Sequence, residues 1–259
     1  MLTAPDLRGD GCRDATEDGR SELARAPLTL DLLVATSRAL LVQGGPDAVV
    51  VREVARRLGV SAPALYRHVS GRDDLLTLLI AACNDEVTDA CQAAADACPP
   101  TDHPARLRAA TWAFRTWACD HAPEFGLVWG TPIAGYRAPV DGPTSSSGRR
   151  FGELFGSIFG DLLRTGRLRT VPDEDLPAEL REDLRRAAAT IGLPMRPGQL
   201  HPFVVGYQRM LGVVSVEVSG HLRWAFDDAG TFVRQQLLAL EADLLLPVTS
   251  ADRPPSGPP

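Results

Sequence analysis

Residues 52–69, REVARRLGVSAPALYRHV, constrain what this chain can fold into more than any other stretch, because they read as two short helices joined by a sharp turn. From Arg52 to Leu58 the spacing puts Val54 and Leu58 on one face, with the small Ala55 beside them where a second helix crosses closely. Gly59 follows where the chain must reverse, since glycine takes a left-handed conformation without steric cost. Val60 is read as the plug between the helices, Ser61 as the N-cap of the second, and Pro63 as a first-turn residue whose missing N–H costs nothing. The second helix is expected to bury Ala64, Leu65 and Val69 and to turn Tyr66, Arg67 and His68 outward. A helix presented in this way fits a DNA major groove.

The charge agrees. Between Arg52 and Arg72 five arginines (Arg52, Arg56, Arg57, Arg67 and Arg72) accompany one acid, Glu53, on a chain whose formal net charge is −6. A basic island on an acidic protein suits one surface made for a polyanion and a remainder kept soluble.

The flanks extend the pattern into a known family. Residues 28–80 resemble the DNA-binding domain of TetR/AcrR-type transcriptional regulators. LLVATSRALLVQGG stands where that family has its first helix, with Leu33, Thr36, Leu40 and Leu41 as the apolar stripe. His68, Val69, Arg72, Leu75 and Leu76 match the junction into its long fourth helix. Two departures stand out. Val50 occupies the cap position usually held by Thr or Ser, which costs about 1 kcal/mol unless Val49 and Val51 compensate by packing. Arg72 stands in for the usual Lys and keeps the capacity for a phosphate contact.

At 259 residues the chain suits one or two domains with a full core, and its apolar content of 44% is ordinary. It has no apolar run of about 18 residues or more for a membrane span, and no signal-peptide pattern at the N-terminus, so a cytoplasmic location is expected. Five cysteines without zinc spacing fit a reducing compartment, with Cys83 and Cys119 expected as small buried residues. Cys91 and Cys98 are read as ordinary thiols in preference to a redox pair. Residues 1–27 carry scattered charge without apolar period and are expected to form a disordered arm; residues 247–259 form a proline-rich, unstructured tail.

Between these ends the pattern is helical throughout. The expected helices run from Arg72 to Ala97, Pro104 to His121, Pro123 to Trp129, Phe151 to Leu163, Pro177 to Ile191, Phe203 to Leu222 and over residues 231–246. The segment from Gly130 to Gly148 is read as a turn-rich connection. Tyr207, Leu211, Val214 and Val218 form one seam of the penultimate helix, and Val233, Leu237, Leu240 and Leu244 one of the last. Two such helices from each of two subunits would make a four-helix bundle across a two-fold axis, so these eight residues are the expected dimer interface. Of fifteen aromatic residues only Tyr66 lies outside residues 112–232, and Trp112, Trp117, Phe125, Trp129, Phe155, Phe159 and Tyr207 are the expected lining of an apolar ligand cavity.

This half is also similar to the WHG-type effector domain of TetR/AcrR regulators. Gly212, Glu217 and Gly220 hold their places in its signature helix, whereas Tyr207 and Leu211 replace the Trp and His. A helical-bundle enzyme is the rival class. The five histidines show no ligand spacing, and no G-x-S-x-G elbow or phosphate loop occurs, so neither a cofactor nor a metal is expected. A purely structural dimerising protein would have no use for the outward Tyr-Arg-His helix.

The expectation is therefore an all-α chain: an N-terminal helix-turn-helix DNA-binding domain (28–80) and a larger helical ligand-binding and dimerisation domain (81–246). The resemblance implies a homodimeric, ligand-responsive repressor whose partners are double-stranded operator DNA, a small-molecule effector and a second copy of itself. Arg52, Ser61, Ala62, Pro63, Tyr66, Arg67, His68 and Arg72 are the expected DNA contacts.

Overall fold

The computed structural model describes residues 28–247. The expected arm over 1–27, and the tail beyond Pro247, lie outside the described residues. Ten α-helices occur among these residues: α1 (Leu30–Gly44), α2 (Val51–Leu58), α3 (Ala62–Leu65), α4 (Arg72–Asp96), α5 (His103–Asp120), α6 (Ala122–Trp129), α7 (Pro143–Arg164), α8 (Ala178–Ile191), α9 (Pro197–Val218) and α10 (Gly230–Leu244). The fold is all-α. The chain divides into two compact units at Leu75 and Leu76, inside α4.

The first unit is built by α1, α2 and α3. Thr29 caps α1 by accepting from the Leu32 N–H, and Leu33, Ser37, Leu40 and Leu41 face inward. Ser37 takes the buried place expected of Thr36, which is only half-buried, because a small side chain lets the crossing helix approach. At the end of α2, Gly59 adopts φ 66°. There the Val60 N–H donates to the Ala55 carbonyl at 3.1 Å and the Gly59 N–H to the Arg56 carbonyl at 3.3 Å, which satisfies two carbonyls that the helix end would leave open.

The second unit is organised around α9, which packs against α10, α8, α5 and α7. Its buried line is Gly206, Met210 and Val214. Leu176, Leu184, Ala188 and Leu200 form a satellite core beneath α8. An antiparallel bridge between Leu168 and Leu245 ties the end of α10 to the chain leaving α7. No helix among the described residues is long and apolar enough to cross a membrane.

The bounds of three helices and the burial of one cysteine differ most from the sequence reading. The helix expected to run on to Val69 ends at Leu65, and residues 66–68 continue as a tighter turn in which the His68 N–H donates to the Leu65 carbonyl. Helix α7 starts at Pro143 instead of Phe151. Ser147 lies buried one turn before Phe151 on the same stripe and accepts from Asn84, so tertiary packing overrides the weak helix propensity of a serine run. Helix α9 starts at Pro197, with Pro202 tolerated near its beginning, and ends at Val218 where a turn takes over. Finally, Cys119 is exposed, because it falls one residue past the buried pair Trp117 and Ala118.

Candidate nucleic-acid interface and ligand cavity

Two features of the first unit arise from local chemistry. Val50 supplies no side-chain cap to α2, and the neighbouring Val49 and Val51 are both buried, so packing anchors the helix start where a hydroxyl is missing. At α3 the Ser61 hydroxyl accepts from the Ala64 N–H at 3.3 Å, and Pro63 sits in the first turn. With Leu65 and Val69 buried and Ala64 half-buried, the intervening Tyr66, Arg67 and His68 have nowhere to go but outward. Tyr66 is 55% exposed.

The arginines of this region differ in how they are held. Glu53 accepts from Arg56 at 2.8 Å through Nε and again through Nη2, and from Arg57 at 3.3 Å. These bonds, with that from Arg56 leading, hold the Glu53 carboxyl down at about 2. Arg57 also donates to Gln43. Arg72 donates to the Pro46 carbonyl at 3.0 Å and to Asp47 at 2.9 Å, so it fastens the turn between α1 and α2. Arg52 and Arg67 make no ion pair among the described residues. The basic island thus resolves into three tethered guanidiniums and two without an ion pair among the described residues. Of the eight residues expected at DNA, Arg52, Ser61, Pro63, Tyr66, Arg67 and His68 are exposed, Ala62 is half-buried, and Arg72 has internal partners.

The second unit contains a cavity of about 620 Å³ walled by α5, α7, α9 and α10. Trp112, Phe155, Phe159 and Tyr207 line it as expected from their helical phase, joined by Phe151, Phe203 and Met210. Trp117, Phe125 and Trp129 do not. With Phe114 they form a solid ring cluster with centroids 5.3–6.2 Å apart, Phe114 fully buried at its centre, so these rings are core. Phe114 and Trp129 touch Phe151 of the cavity wall, at 5.7 Å and 6.0 Å between ring centroids, but the cluster does not line the cavity itself, a distinction the aromatic content of the segment did not carry. Two ion pairs stand near the cavity. Arg108 donates to both carboxylate oxygens of Glu241, at 2.7 Å and 2.6 Å. Arg115 clasps Glu217, with one bond at 2.8 Å. Their sequence separations leave no local signal, although Glu217 itself occupies a position of the signature helix.

The seams expected to form a dimer interface need correction. Val214 and Val233 are fully buried within the single chain, and Leu237, Leu240 and Leu244 nearly so. A side chain with no exposed surface left cannot gain burial from a partner; these five residues hold α9 to its neighbours and to α10. Tyr207 is exposed, while Leu211 and Val218 are half-buried. The outward apolar positions are Val204 and Val216 on α9 and Leu238 on α10, with Ala239 and Ala242 beside it. A heptad-like seam and a core stripe share one spacing, so periodicity alone could not separate them.

Among the described residues, no three His, Cys, Asp or Glu side chains converge as metal ligands. Burial pushes the Cys91 thiol up to about 12, which keeps it protonated.

Comparison with known proteins places both units. Residues 107–240 match the family described as "Tetracyclin repressor-like, C-terminal domain", and residues 33–79 match "Bacterial regulatory proteins, tetR family". The chain is similar to the HTH-type transcriptional regulator Rv1816 of Mycobacterium tuberculosis, at 29% identity over 188 residues, covering 73% of this chain and 80% of the relative. The HTH-type transcriptional regulator Mb1846 of Mycobacterium bovis matches to the same extent. Among solved structures, the putative regulatory protein SCO4313 shares the fold with a TM-score of 0.65 at 24% identity, covering 86% of this chain and 97% of that one. A putative tetR family transcription regulator from Shewanella sp. PV-4 does so with a TM-score of 0.56 at 15% identity, covering 85% of this chain and all of that one.

The clamp on Glu53 has a measurable consequence. Glu53→Gln removes the charge that holds Arg56 and Arg57, so binding to arbitrary double-stranded DNA should tighten and its salt dependence should steepen by about one counterion. Acidification to pH 5 should not mimic the substitution. A carboxyl held at about 2 is still ionised there, and its pairing is lost only as the pH falls towards 2. A salt titration by fluorescence anisotropy checks both statements; an unchanged slope contradicts them.

Proposed function

The chain belongs to the TetR family of bacterial transcriptional regulators, DNA-binding proteins and not enzymes, and on that premise we propose that it is a repressor that binds a palindromic operator as a homodimer and is released by a small apolar effector. The observation that carries this reading is the outward run of Tyr66, Arg67 and His68 on a capped helix-turn-helix, beside an Arg52 that has no ion pair among the described residues.

In this reading Ala62, Pro63 and Arg67 enter the major groove of one half-site, and the Ser61 hydroxyl holds the start of the reading helix. Arg67 is placed to donate to a base edge, and the guanidinium geometry suits guanine. Arg52, Tyr66 and His68 hold the phosphates on either side. Arg72, fastened to residues 46 and 47, is assigned mainly to shaping the turn that presents α2. The effector site is the cavity of the second unit. An effector lowers DNA affinity only by binding the DNA-incompetent state more tightly, and helix α4, continuous from Arg72 to Asp96, supplies an element whose position both sites can bias.

The homodimer is assigned to the outward faces of α9 and α10, with Val204, Tyr207, Leu211, Leu238 and Ala242 as its apolar contacts. The support is a helix pair that keeps apolar side chains exposed after its own core is complete. Such a face suits a two-fold, self-complementary packing of helix on helix.

Two experiments test the proposal. Arg67→Ala should weaken binding to a selected operator by about 1–3 kcal/mol and relax preference at one position, whereas Arg52→Ala should weaken all sequences alike and reduce the salt slope by about one ion. Unchanged DNA affinity in both folded variants removes the assignment. In the second, the native chain should sediment at twice its mass, and Leu211→Arg combined with Ala242→Arg should yield folded monomers that lose operator binding. A native chain that sediments as a monomer at micromolar concentration contradicts the dimer.

A further inference from the structure

The charges around the cavity do not cancel evenly. Arg108 is matched by Glu241, both of whose carboxylate oxygens it occupies. Arg115 is matched by Glu217, with Asp228 nearby acting on the same guanidinium and accepting from the Gly230 N–H at 2.8 Å. Arg234 also lines the cavity, and it has no carboxylate partner among the described residues. Its guanidinium carbon instead lies 4.3 Å from the centroid of the Trp112 ring, itself part of the cavity wall. A cation–π contact of this kind uses no N–H of the guanidinium as a partner to a carboxylate, so N–H groups remain to donate elsewhere. Arg234 is exposed, so these groups stand at the cavity mouth, while Phe151, Phe155, Phe159, Phe203 and Met210 make the interior apolar.

We propose that the cavity takes an amphiphilic organic anion, an apolar body ending in one carboxylate, and that Arg234 on its Trp112 platform is the residue that reads the head group. The inference rests on the cavity being the effector site and narrows its occupant to one chemical class. The wall supplies an unneutralised donor edge for an oxyanion. It offers a cation ring faces but no free carboxylate: Glu241 is consumed by Arg108, and an ammonium head would face Arg234 as a like charge. A neutral ester of the same body fills the same interior and forgoes the charged hydrogen bonds.

The test compares three probes of one chain length, decanoate, methyl decanoate and decylamine. Each is titrated below its micelle concentration into the full chain, by calorimetry and by tryptophan fluorescence. Decanoate should bind roughly tenfold more tightly than the ester, the worth of one charge-assisted hydrogen bond, and decylamine should bind most weakly. Arg234→Gln should bring decanoate to the affinity of the ester, and Arg234→Lys should keep most of the preference. Equal affinities of acid and ester in the native chain overturn the proposal, as does an acid preference that survives Arg234→Gln. Ester binding in either case leaves the cavity standing as a ligand site. If none of the three binds, the effector reading of the cavity fails and takes this inference with it.

Discussion

The close approach of α9 to its neighbours at Gly206 is the constraint on which the second unit depends. A side chain there would begin 3.2 Å from Leu244 of α10, tighter than ordinary van der Waals contact, and would touch Phe159 of α7 at 3.4 Å. The absence of that side chain lets three helices meet, and the next two turns of α9 continue the line with the buried Met210 and Val214. Gly206, Phe159 and Leu244 are also cavity wall, so the contact that closes the core stops short of filling it. A well-packed interior leaves few voids larger than a water molecule, and an open space of about 620 Å³ stands beside this contact.

Polar groups then divide the work around that apolar frame. Bidentate Arg–carboxylate pairs are specific in geometry, and the Arg115–Glu217 pair, mostly buried, pins α5 to α9 across the unit. Arg108–Glu241 pins α5 to α10 at a more exposed place, where such a pair contributes little stability but still fixes direction. In the first unit the same chemistry runs in reverse. Glu53 and Asp47 restrain Arg56, Arg57 and Arg72, which leaves the field at the surface to Arg52 and Arg67. An interface that keeps some of its cations tethered confines its free charge to a few places, and that favours a particular docking over loose attraction to any polyanion.

How much of this the sequence disclosed depended on whether the signal was local. Gly59, Ser61 and Pro63 each act within one turn of themselves, and the two helices, their turn and the outward Tyr66, Arg67 and His68 were legible, although the second helix ends at Leu65 and not at Val69. The tethering of Arg72 was not, because its partners at Pro46 and Asp47 belong to a distant turn. In the second unit the helices were legible from period, but their outward and inward faces were not. Val214 and Leu240 recur as an interface seam would and prove to be core, since the same spacing serves both. The rings were found, yet Trp117 went to a packed cluster and Trp112 to the cavity, which depends on rotation about α5 by a few residues, and Trp129 of α6 joined the cluster. Arg234 offered no signal at all: its meaning comes from a ring more than a hundred residues away and from the carboxylates that pair elsewhere.

The proposed function requires that DNA binding by the first unit and occupancy of the cavity in the second be coupled. Its most direct test is a reciprocal titration on an operator duplex recovered by selection from a random pool. Operator affinity is measured with the cavity empty and with it saturated by decanoate, and decanoate affinity is measured with and without operator. Linked equilibria require the two ratios to be the same. Decanoate should weaken operator binding at least roughly fivefold, the lower end of typical coupling, and operator should weaken decanoate binding by the same factor. Decanoate that binds while operator affinity stays unchanged would contradict that coupling.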